Sequence, residues 1–267
     1  GTGVVGRLTT EFNIENRTAG VFSLRNNQIL FIGPPGDASP LIVLSNNGIP
    51  AFNPSPSDPN MTKYIKDINE ATLPTSGFMA ETWSSELMDT LLAHESLYNA
   101  LEATTVTESF PGGFGNQLEM VARLMQTREA RGVDADIFYV ELGGFDTHSS
   151  VKVNLQNRFD ELNSGLEPFI QETVNLGLWE NVVIVEFSEF ARTLNPNSGA
   201  GTDHAWGGNH FIVGGKVNGG KVIGEYPDEF VEGVSNLALS RGRMIPTTPW
   251  DATWQGICQW MGFSEEV

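Results

Sequence analysis

Two uninterrupted apolar runs, DIFYVEL (136–142) and NVVIVEF (181–187), flank a long amphipathic stretch (151–176) that carries Val153, Leu155, Phe159, Leu162, Leu166 and Phe169. A strand that is apolar at every position must be covered on both faces, and a strand–helix–strand order joins parallel strands through a crossover. These runs predict an α/β fold with a mostly parallel sheet between helices. In such sheets ligands gather outside the carboxyl ends of the strands. That rule singles out two segments, GGFDTHSS (143–150) and the stretch from Ser188 to His210.

The remaining pattern fills in the layers. Helical spacing of apolar residues predicts helices from Phe78 to Leu101, from Gln117 to Arg131 and over 249–262. FPGGFG (110–115) reads as a turn, FIVGG (211–215) as a third strand and KVNGGKVIG (216–224) as a hairpin. Residues 1–60 are rich in Gly, Asn and Pro. Their short apolar runs VFSL (21–24), ILFIG (29–33) and PLIVL (40–44) read as short strands in an irregular part of the same domain, and NPSPSDPN (53–60) as loop. A length of 267 residues suits one domain with a sizeable core.

Charge excludes some functions. The chain has 15 Lys and Arg against 33 Asp and Glu, a net charge of -18. Such a field repels phosphate backbones, so nucleic-acid binding is not expected; an anionic substrate needs a local positive centre such as a metal. No apolar run approaches the ~20 residues of a membrane-spanning helix. The one cysteine, Cys258, rules out an intrachain disulfide and a cysteine-based zinc cluster, and its Trp-rich helix suggests a buried structural thiol. There is no G-x-S-x-G elbow, and GGKVNGGKV ends in Val where a P-loop requires Ser or Thr.

Three of the four histidines, His148, His204 and His210, fall at or after the two strand ends, with Asp146 and Asp203 beside them. Glu141 and Glu186 lie within the apolar runs and Glu189 just beyond one. A carboxylate beside buried apolar surface needs a partner, and a metal is the simplest common one. Mixed imidazole and carboxylate ligands suit Zn, Mn or Fe, with Mg or Ca where oxygens dominate. The alternative is that the aspartates cap turns or helices and the histidines form local hydrogen bonds.

The runs ELGGFDTHSS, SEFARTL and GTDHAWGGNHFIVGGKVNGG, with TGVVGR early and RGRMIPTTPWDATWQGICQWMGF late, resemble the DUF1501 family, which is grouped with the alkaline phosphatase and sulfatase superfamily. The resemblance implies a three-layer αβα sandwich with one or two divalent metals at the carboxyl edge of its sheet. It also implies an N-terminally incomplete fold, the chain being a piece of a longer protein whose nucleophile lies outside it, and an extracytoplasmic location. By motif, Asp146 and His148 resemble an Asp/His metal pair, and Glu141 keeps the offset of a metal-site Glu. Ser188-Glu189 stands where the superfamily has Asp-His, so Glu189, Asp203, His204 and His210 become the candidates for the remaining ligands. The function implied is a metal-dependent hydrolase of phosphate or sulfate esters. Asp146, His148 and His204 lead its ligand set, and Arg192 grips the small anionic ester substrate. The alternative is a non-catalytic secreted or surface interaction protein that keeps the fold.

Overall fold

A computed structural model describes residues 2–26, 29–34, 40–54, 57–58, 60–70, 75 and 77–263. The described chain opens with helix α1 (Val4–Ile14) and strand β1 (Ala19–Ser23), then a 3-10 turn (Ile29–Phe31) and β2 (Leu41–Val43). Helices α2 (Met61–Glu70), α3 (Phe78–Glu102), α4 (Gly112–Gln126) and the single turn α5 (Arg128–Arg131) lead to β3 (Ala135–Tyr139). Next come α6 (Val151–Asn175), β4 (Val183–Val185) and the short strands β5 (Ala191–Arg192), β6 (His204–Ala205) and β7 (Ile212–Gly214). Strands β8 (Ala238–Leu239) and β9 (Arg243–Met244) precede the last helix, α7 (Trp250–Trp260).

The sheet at the centre is parallel, in the order β2-β1-β3, with Val21 opposite both Leu41 and Ile137. Alternation along β1 and β3 sends side chains to opposite faces. Phe22, Phe138 and Val140 join a cluster with Phe114, Leu118 and Phe169 of α4 and α6. Val21, Ile137 and Tyr139 pack against Val5 of α1 and Phe31. Helices therefore lie on both faces of a small parallel sheet, to which β3 alone of the two apolar runs belongs.

Several local expectations are corrected. Residues 1–60 hold a helix, α1, because Val5, Leu8 and Phe12 recur at three and four residues and bury one face. ILFIG supplies the 3-10 turn and not a strand, while VFSL and PLIVL do contribute β1 and β2. The predicted loop 53–60 lies partly outside the described residues. FPGGFG is not only a turn: α4 starts at Gly112, with Pro111 at its N-cap, and ends at Gln126, so Thr127 separates α4 from α5. KVNGGKVIG forms no hairpin; Val222 and Ile223 are exposed and lie outside any described strand. β4 does not join the parallel sheet but pairs antiparallel with β7, with Ile184 opposite Val213.

The two ends of the described chain are stapled together. Phe12 and Phe263 meet edge-to-face at 4.9 Å, and the Arg17 guanidinium lies over both rings. Arg17 Nη2 donates to the Met261 carbonyl at 2.9 Å. Cys258 packs against this cluster half-buried, not fully buried as its helix suggests, and desolvation pushes its thiol pKa up.

Candidate metal centre

Both apolar strands end sooner than the sequence suggests, at Tyr139 and Val185, so Glu141 and Glu186 stand past the strand ends. The chain from Glu141 to Ser150 is held by neighbours. Gln117, fully buried, donates from Nε2 to the Glu141 carbonyl and accepts from the Glu141 N–H, both at 2.9 Å. Farther on, the loop 199–202 is zipped against 147–151. Thr202 N–H donates to the Thr147 carbonyl at 2.9 Å and Val151 N–H to the Ala200 carbonyl at 3.0 Å. Gly201 makes this possible, since a Cβ there would lie 2.1 Å from the His148 carbonyl carbon. Asn197 locks the loop: its Nδ2 donates to the His148 carbonyl at 3.0 Å, and its Oδ1 accepts from Gly199 and Gly201 N–H groups.

The antiparallel pair β5–β6 sets Arg192 directly opposite His204. With the zipped loop, this brings three predicted ligands together. Asp146 Oδ1 lies 3.0 Å from His204 Nε2 and 3.3 Å from His148 Nδ1. One ligand atom from each of the three residues lies within 4.8 Å of the others, and all three residues are exposed. His204 is backed by the Phe190 ring at 4.4 Å.

Arg192 is committed to the chain itself. Its Nε donates to Thr202 Oγ1 at 3.0 Å, its Nη2 to the Thr202 carbonyl and its Nη1 to Asp146 Oδ1. It thereby braces the carboxylate. Desolvation pushes the Asp146 pKa up, but the His204 hydrogen bond and the charges of His148 and Arg192 outweigh it and hold the carboxyl below its ordinary value.

The other predicted residues stand apart from this triad. Asp203 pairs with Arg241, and an Asn197 hydrogen bond, opposed by desolvation and aided by Arg241, keeps its pKa low. His210 Nδ1 lies 3.1 Å from Glu186 Oε2, and its ring rests on Trp250. Glu189 is exposed near Tyr139, whose hydroxyl pKa is raised by burial and by Glu141 and Glu189. Asp146 is not a helix cap; that place before α6 belongs to Ser150. Sequence reasoning missed Asn197, Thr202 and Arg241. Asn197 and Thr202 are signalled only by their place beside or within the His- and Gly-rich run 199–210, and Arg241, far downstream, carries no such signal, because polar loop residues look alike until the loop is closed.

The donor set fits a cation. With metal–ligand bonds of about 2.0–2.1 Å, the edges of a tetrahedron are about 3.3 Å long. The two Asp146–histidine separations, 3.0 and 3.3 Å, are close to that edge. Neither the curated proteins nor the solved structures give a match to this chain. Residues 47–239, most of the chain, match the family described as "Protein of unknown function (DUF1501)", and the chain belongs to that family.

Proposed function

We propose that the protein is a metal-dependent hydrolase of phosphate or sulfate esters, built on an alkaline phosphatase-like sheet, with Asp146, His148 and His204 as the cation ligands. The observation that carries this reading is the convergence of these three donors at one exposed point. Two imidazole nitrogens and one carboxylate favour Zn, Mn or Fe over the all-oxygen preferences of Mg and Ca. When bound, such a cation polarises an ester oxygen and lowers the pKa of a water it carries. The chain's part is positioning. Arg192 keeps Asp146 ionised and oriented, Phe190 fixes the His204 ring, and Asn197 holds the backbone of His148. The Arg192 charge also offsets the acidic field of the chain where an anionic ester would approach.

One observation favours a second reading, a non-catalytic protein that keeps the fold. Arg192 already neutralises Asp146 from within the chain, so the carboxylate has a partner without any cation. Metal analysis by mass spectrometry on the purified chain decides first. About one equivalent of a transition metal is expected, lost in both His148→Ala and Asp146→Asn; retention in either variant refutes the ligand assignment. Turnover of p-nitrophenyl phosphate or sulfate by the metal-loaded protein then supports the hydrolase over the binding protein.

A further inference from the structure

β3 and β4 are apolar runs, yet every residue of both is only half-buried. The cause is a cavity of about 810 Å³ that separates them. Its two long walls are strand edges. The Leu24 N–H donates to the Tyr139 carbonyl and the Ala135 N–H to the Thr18 carbonyl, so the odd-numbered residues of β3 serve β1. Backbone groups alternate in direction along a strand, which turns those of Asp136, Phe138 and Val140 toward the cavity. On the other wall, the Glu186 N–H donates to the Phe211 carbonyl, fixing Glu186 and Ile184 as the hydrogen-bonded residues facing β7. Val183 and Val185 then turn their backbone groups inward. Among the described residues, neither inner edge has a strand partner.

The floor and roof are apolar. Val121 and Phe169 close one face, and Trp254 and Ile257 the other. Asp136, on the β3 wall, is held by Arg131 at 2.7 Å, and further charged residues, Arg17, Arg128, Asp134, Glu180 and Lys216, also line the cavity. Tyr139 and Phe187 meet at 6.2 Å, so the carboxyl ends of the two strands adjoin and the strands run the same way.

We propose that this slot receives a further β-strand: an extended, uncharged polypeptide segment of about five residues, apolar on both faces, that is not contained in residues 1–267. The length follows β3, which is five residues long. The chemistry follows from the walls, since unpaired backbone edges demand a backbone and apolar faces demand apolar side chains on both sides. A lipid or apolar small molecule would match the faces and leave the edges unpaired. The exposed apolar runs of a second copy, KVIGEY (221–226) and FVEGV (230–234), each carry a glycine and a charged residue, which an apolar slot disfavours. The stretches of this chain outside the described residues, such as PGDAS (35–39) and SEEV (264–267), are short and rich in turn-forming or charged residues. With the slot filled, the sheet becomes continuous in the order β2-β1-β3, inserted strand, β4-β7. One end of that strand emerges beside Glu141 and Glu186. The inference does not depend on a bound metal.

The test uses the 267-residue chain, nitrogen-15 labelled, with the synthetic peptide KKVIVVIKK. Saturable one-to-one binding is expected, with amide exchange at Phe138, Val140, Val183 and Val185 slowed at least about tenfold. A peptide N-methylated at alternate apolar positions keeps its charge and hydrophobicity but loses edge donors, and should bind at least about tenfold more weakly. Equal binding of the methylated peptide overturns the strand, leaving an apolar cavity. Protection of the same amides by decanoate alone overturns it in favour of a lipid. Protection that rises with protein concentration, without peptide, overturns it in favour of a second copy. No binding at all overturns it outright.

Discussion

The part of the chain up to Phe169 and the part beyond it are held together by different means. Among the described residues, every buried apolar side chain except Ala238 and Phe263 lies in the first part. There, α1, α3, α4, α6 and the parallel sheet exclude water from side chains such as Phe12, Phe22 and Leu124. Beyond Phe169 the chain forms two- and three-residue strands, and is fixed by Asn197, by the Arg192 fork and by the Arg241–Asp203 pair. Hydrophobic burial is non-directional and supplies bulk stability, whereas hydrogen bonds fix position. One region supplies a stable platform, and the other spends polar contacts on placing three donor atoms.

Four substitutions would break or sharpen that contrast. The largest effect is expected in the first region, where Leu124→Ala leaves a cavity beneath the sheet and should cost about 2–5 kcal/mol in denaturant unfolding. A cost below about 1 kcal/mol would mean that α4 is not the platform described here. Gly201→Val comes next. Its branched Cβ would meet the His148 backbone, so the 147–151 zipper must open. Overpacking of this kind costs about 1–3 kcal/mol, and the Asp146–His204 contact should vanish from imidazole NMR spectra.

Asn197→Ala removes a side chain that makes hydrogen bonds to both segments of the loop. A cost of about 1 kcal/mol is expected, with faster exchange confined to the 199–203 amides. Spread of that exchange into β1 would show that the two regions are not separable.

The smallest effect is a pH dependence in the platform. Asp134 accepts from the Thr18 N–H at 2.7 Å, and this bond, then that of the Thr18 hydroxyl, outweighs desolvation and lowers its pKa from the ordinary 3.8. A depressed folded pKa gives stability that is present above 3.8 and lost as pH falls through the folded value. Asp134→Asn should flatten the acid limb of the stability curve below pH 3.8 by removing the increment of stability that the ionised carboxylate supplies at neutral pH. An unaltered acid limb would mean that Asp134 does not tie β1 to β3.

What the sequence makes legible follows the same division. The apolar runs and helical periods locate β3, α6, α3 and α7, because burial writes itself into composition position by position. His148 and His204 are legible too, as two of only four histidines, and Asp146 by its place two residues before His148. The helix α1 is hidden by its Gly- and Thr-rich sequence, although Val5, Leu8 and Phe12 carry the period. The pairing of β4 with β7 instead of β3 is not readable, since a strand's neighbours depend on tertiary contacts that leave no local mark. Asn197 and Arg241 act through partners distant in the sequence, His148 and Asp203, and the chain past β3 is held at Glu141 by the buried Gln117.

The joined ends of the chain also have a meaning in time. Phe12, in the first helix, completes its enclosure only with Phe263, and Arg17 bonds to Met261 across 244 residues of sequence. Ribosomes add about 5–20 residues per second, so α1 waits roughly 10–50 s for its last covering residue. During synthesis this helix presents an open apolar flank, the kind of exposed surface that favours aggregation until the fold is complete. A product stopped before Phe263 would lack the covering ring, while Asp146, His148 and His204 would already be in the chain.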